Sequence, residues 1–154
     1  MLRLITPAVL IALATGVTAW SAEPLVGVWK LDRQEMNGEK LNPEPMVLKI
    51  SQSGDQYTFA FSVPVNNVYF VSMSYTVRLD GSEGDVKNSH GDKIGTAKVT
   101  STGGGQYKLS LTGPNRPESA GKLTVSGDGK TLTSESDTVG TSKPAHVMQV
   151  FSRN

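Results

Sequence analysis

Two histidines, three clustered glutamates and one glycine-rich loop are the residues of this 154-residue chain whose types could carry reaction chemistry. His90 lies in "NSHGDK" and His146 opens "HVMQVF". Acyl transfer by a triad needs a nucleophile, a base and an orienting carboxylate within reach. No serine sits in the Gly-x-Ser-x-Gly turn that would expose such a nucleophile. A metal site would need both imidazoles to converge with a carboxylate, and nothing in the spacing of His90 and His146 points to that. Glu35, Glu39 and Glu44 fall in "QEMNGEKLNPEP", where a solvated polar loop is the expected reading over a glycosidase-like carboxylate pair. "TGGGQ" (Thr102 to Gln106) lacks the Lys-Ser/Thr and the helix start that hold phosphate, and reads as a hairpin loop. With no cysteine there is no thiolate, disulfide or Cys-based zinc site. The expectation is no enzyme, no catalytic residue, no metal and no cofactor.

The remaining chemistry is binding. Phe59, Phe61, Tyr69, Met73 and Tyr75 form an aromatic and sulfur-bearing stripe on what should be adjacent strands. Such a stripe either lines an apolar cavity, with tyrosine hydroxyls to orient a ligand, or fills the interior of a small closed barrel. Both readings stand on sequence, because strand number and stagger set the barrel's width.

Strands are what position these residues. "VYFVSMSYTVRL" holds period two over a dozen residues, with Tyr69, Val71, Met73, Tyr75, Val77 and Leu79 on one face. "QYTFAFSV", "YKLSLT", "KLTV" and "HVMQVF" alternate likewise, and the last sets Val147, Gln149 and Phe151 on one side. "QSGDQ", "LDGSEGD", "TGGGQ" and "SGDGK" supply turns, since Gly and Asp-Gly steps accept the positive φ that tight hairpins need. "QEMNGEKLNPEP" is expected to be a loop or at most one helical turn. The pattern predicts an all-β, antiparallel up-and-down meander of 8–10 strands closed into a barrel.

Residues 1–22 have the layout of a secretory signal: basic Met1-Leu2-Arg3, an apolar run from Leu4 to Val17, then small residues, with cleavage between Ala19 and Glu23. Arg3 is the only charge in that segment, so residues 23–154 carry 14 basic against 14 acidic residues. A neutral chain does not favour a nucleic-acid or anionic-membrane partner, which would need a basic patch, and no nucleic acid is expected. The expectation is one domain over 23–154, secreted or periplasmic, monomeric, with no membrane span after cleavage.

Gly27-Val28-Trp29-Lys30-Leu31 resembles the Gly-x-Trp signature that lipocalins carry on their first strand. With Val125-Ser126-Gly127-Asp128-Gly129-Lys130-Thr131-Leu132-Thr133 and the closing Val150-Phe151-Ser152-Arg153, the chain is similar to small exported bacterial lipocalin-like proteins over nearly all of residues 25–153. The mid-chain Thr-Asp-Tyr of lipocalins is absent. The resemblance implies a calycin-like barrel in which Trp29 plugs one end, Gly27 leaves room beside it, and Arg153 lies across the indole. It further implies a binding protein for a small apolar or amphipathic ligand. The alternative is an interaction module or inhibitor of an exported hydrolase, using "NGEKLNPEPM" and "NSHGDK" at the open end.

Overall fold

The computed structural model describes residues 23–113 and 116–154; the expected signal segment, 1–22, lies outside the described residues. Eleven antiparallel strands follow one another: β1 (Gly27–Met36), β2 (Glu39–Leu41), β3 (Val47–Ser53), β4 (Gln56–Val65), β5 (Val68–Val77), β6 (Asp80–Asn88), β7 (Lys93–Gly103), β8 (Gln106–Gly113), β9 (Arg116–Val125), β10 (Thr131–Val139) and β11 (His146–Arg153). Each pairs with the next around the sheet, and β11 returns to β1 to close it. β2 and β3 occupy the same flank of β1, β2 along Gln34–Met36 and β3 along Gly27–Lys30, so the ring has ten members. The described residues contain no helix. Closure removes the exposed edges that an open sheet of this size would present.

The first connection is tighter than a loop. Met36 pairs with Glu39 across Asn37-Gly38, both at positive φ (51° and 83°), a two-residue turn whose twist suits antiparallel strands. The expected irregular segment is therefore a hairpin into β2. Only residues 42–46, with Pro43 and Pro45, leave the ladder, because proline has no N–H to donate.

"LDGSEGD" also differs from expectation. Asp80 to Asp85 belong to β6, and the chain reverses at residues 78–79 instead. Gly84 is there for space: a Cβ would sit 2.0 Å from the Thr76 carbonyl oxygen. Gly121 in β9 answers the same need, 1.9 Å from the Glu135 carbonyl oxygen. A strand glycine marks such close backbone approach as readily as a turn.

Every ring strand turns alternate residues inward, and large apolar side chains fill one half of the interior. Trp29, Leu48, Ile50, Phe59, Val99, Tyr107, Leu132 and Phe151 are buried there. The outer face is polar and carries cross-strand ion pairs such as Lys122–Glu135 (2.8 Å), each worth little on an exposed surface.

Candidate ligand cavity

The two ends of the barrel differ because the inward positions change character along each strand. On β10, Leu132 gives way to Ser134 and Ser136; on β9, Val125 and Leu123 give way to Gly121 and Ser119; on β11, Phe151 gives way to Gln149. The first residue of each series lies at the end where both termini meet, which is packed shut. The others face the end where β4 joins β5.

At the shut end Trp29 is wholly buried, and its indole N–H donates to the Leu25 carbonyl at 3.0 Å. The Arg153 guanidinium lies 4.3 Å from the ring centroid, and the two residues are register partners on β1 and β11. Its three nitrogens donate to the carbonyls of Gly129 (2.6 Å), Val26 (2.8 Å) and Pro24 (2.6 Å). One side chain thus ties the approach to β1 to the β9–β10 turn. A Cβ on Gly27 would fall 2.5 Å from an Arg153 nitrogen, so the absent side chain makes room for the guanidinium. Sequence reasoning missed three members of this closure. Leu25 is fully buried, and the Tyr107 hydroxyl donates a hydrogen bond to the Glu23 carboxylate. Burial, then that bond and the carboxylate's charge, push the Tyr107 phenol well above its usual range; Tyr57 is raised too, by burial and then by Glu23.

Toward the other end lies a cavity of about 270 Å³. One wall, from β3 to β5, is apolar: Leu48, Phe59, Phe61, Met73 and Tyr75, with Met46 at the rim. Phe59 stacks on Tyr75 at 4.7 Å between centroids, and Phe61 leans on the same ring at 6.0 Å. The opposite wall, from β8 to β11, adds Leu109, Leu111, Leu123 and Phe151 and presents four polar side chains, Ser119, Ser134, Ser136 and Gln149. Among the described residues these four side chains make no hydrogen bond, and none of their polar atoms is sealed off. The Tyr75 hydroxyl is equally unpartnered, and burial raises its pKa far above the free value. Among the described residues no charged side chain lines the space.

Four members of the expected stripe, Phe59, Phe61, Met73 and Tyr75, thus share the cavity. Tyr69 does not. A bulge after Phe61 sets one extra residue, Ser72, into β5, and its hydroxyl donates to the Phe61 carbonyl at 3.1 Å. Period two breaks there, and Tyr69 stands about half exposed on the hairpin beyond. The polar wall was legible only in part: alternation sets Gln149 beside Phe151, while "TLTSES" carries no apolar mark at its serines.

Neither histidine reaches this space. His146 Nδ1 meets Asp137 Oδ1 at 2.8 Å on the outer surface. His90 sits in a turn closed by Asn88, whose side-chain oxygen accepts from the backbone N–H of His90 and Asp92, both at 2.9 Å. Glu35 faces Arg33 at 3.5 Å, and Glu39 and Glu44 are exposed. Among the described residues no cluster of His, Asp and Glu could hold a metal ion, and no helix is long and apolar enough to cross a membrane.

No family model matches the chain, and no curated protein does. Among solved structures it is similar to the zebrafish ileal bile acid-binding protein in complex with cholic acid. That likeness has a TM-score of 0.55 at 20% identity, covering 85% of this chain and 99% of that one. The barrel is calycin-like. At this identity the likeness speaks for the fold alone.

Proposed function

We propose that this calycin-like barrel binds one small, neutral, amphipathic molecule, and that it does so as an exported, non-enzymatic monomer. The observation that carries the reading is the two-sided cavity: an apolar wall faces one that carries unpartnered hydroxyl and amide groups, with no charged side chain among the described lining residues. Apolar burial would supply the affinity, at ~25 cal/mol per Å² removed from water. Ser134, Ser136, Gln149 and the Tyr75 hydroxyl would orient a hydroxyl, ester or amide head. An ionised head would lose its hydration with no cation to meet it, which is costly in a dry site.

The similarity to exported bacterial lipocalin-like proteins supports export, with cleavage between Ala19 and Glu23 and a secreted or periplasmic destination. N-terminal sequencing of exported material tests that part: retention of Leu4 to Val17 would contradict it. The alternative, a docking module for an exported hydrolase, has less support. Segment 88–93 is closed on itself by Asn88, and much of 37–46 is taken up by the hairpin into β2.

Binding is tested with a small environment-sensitive dye. The barrel should take up the dye with a blue shift, and Ser136→Phe, which fills the cavity from β10, should abolish uptake while circular dichroism stays β. Equal uptake by the filled variant would place the dye elsewhere and defeat the reading.

A further inference from the structure

The apolar residues left on the surface are not scattered. Val65, Val68, Tyr69, Phe70 and Val71, each between 43% and 54% exposed, lie on the hairpin joining β4 to β5. The other exposed large apolar side chains among the described residues are Met36, Leu41 and Val139. They stand beside the β1–β2 turn and at the end of β10, so all of them ring the open mouth and none is at the end shut by Trp29. Scattered apolar surface residues are ordinary; a collected set marks a contact surface.

The hairpin has a form that narrows the choice of contact. Successive strand residues point to opposite faces, yet Val68 and Phe70 on one face and Tyr69 and Val71 on the other are all about half exposed. The ladder to β6 covers only Met73–Tyr75, so the hairpin projects past the barrel wall. Residues 56–77 contain no charged side chain. The turn is held by Asn66 and Asn67, both at positive φ (51° and 64°), as in a tight two-residue reversal.

We propose that this hairpin seats the open end of the barrel on a lipid surface, its two apolar faces entering the boundary between headgroups and acyl chains. A folded protein partner would cover one face and leave the other wet, whereas lipid surrounds both. Tyr69 suits that boundary, with an apolar ring and a polar tip. Insertion is shallow, because the free backbone edge of β5 and the two asparagines need water or headgroups for their hydrogen bonds. The rim mixes signs, with Glu39, Lys40 and Glu44 near one turn and Asp92 and Lys93 near another. Attachment therefore rests on apolar contact and does not select anionic lipid. The mouth of the cavity would then open directly onto the membrane. This inference stands independently of which molecule the cavity holds.

Residues 23–154 hold every described strand, the β11–β1 pairing and the shut end, so that chain serves for the test. It should float with phosphatidylcholine vesicles, equally at low and high salt. Tryptophan in Phe70→Trp should be quenched by bromines placed high on the acyl chain, while Trp29 in the unsubstituted chain and tryptophan in Gly127→Trp, both at the shut end, should not. Val68→Ser with Phe70→Ser should lower partitioning at least tenfold with melting temperature and dye uptake unchanged. Absence of flotation, or equal quenching at both ends, would overturn the proposal. So would a concentration-dependent dimer that the same pair of substitutions abolishes, which would make a second copy the occupant.

Discussion

Arg153 is exposed by area and structural by contact. Its plane covers Trp29 while its nitrogens hold three carbonyls from two separate segments. A lysine keeps the charge but loses both the stacking and the fork of donors. Trp29→Ala should cost roughly 3–5 kcal/mol. Arg153→Lys should cost less, and a cycle with Arg153→Ala should show coupling of about 0.5–2 kcal/mol. Gly27→Ala supplies a sharper check in urea denaturation. It should destabilise the parent by about 1–3 kcal/mol, and much less once Arg153 is alanine, because the clash is with that side chain. Equal cost in both backgrounds would contradict the geometry. Tyr75 adds a pH dependence. Its phenol ionises near pH 10 in the unfolded chain and well above that when buried. Its contribution is thus full below pH 10 and is lost as pH rises toward the folded value. The slope of stability against pH beyond 10 should be shallower in Tyr75→Phe, by up to ~1.4 kcal/mol per pH unit. Identical slopes would mean that burial of the ring does not hold the phenol protonated.

At the scale of elements, what sequence could reveal depended on whether a signal was local. Trp29 and Arg153 could be assigned to one end because they lie on the first and last strands of a closing meander. Glu23 and Tyr107 could not, since 84 residues separate them and neither sits in a motif. The alternation in β5 was readable up to the point where Ser72 enters as an extra residue, and a bulge leaves no mark in composition. That single insertion moves Tyr69 from the expected cavity wall to the projecting hairpin. Glycines misled for a related reason, because the same residue serves a turn and a crowded strand crossing. The distinction is testable by melting. Gly84→Ala and Gly121→Ala drive a methyl into a neighbouring carbonyl and should cost about 3 kcal/mol or prevent folding. Gly127→Ala, with nothing within 4 Å and no positive φ, should stay within about 0.5 kcal/mol. Similar costs at all three would remove the close-approach explanation.

For the whole molecule, function follows from an asymmetry along the barrel axis. One end is sealed by an indole, a guanidinium and a buried leucine. The other keeps a cavity because serine, glycine and glutamine replace large side chains on three neighbouring strands. The same replacement makes the cavity two-sided and leaves its described lining without charge. Calorimetric titration with two ligands matched in shape, octanol and octanoate at neutral pH, tests this most directly. Octanol should bind, with octanoate at least about tenfold weaker because its charge would be buried without a partner. Ser134→Ala combined with Gln149→Leu should weaken octanol and leave stability near the parent value. Octanoate binding as tightly as octanol, or no binding of either by a correctly folded barrel, would contradict the account.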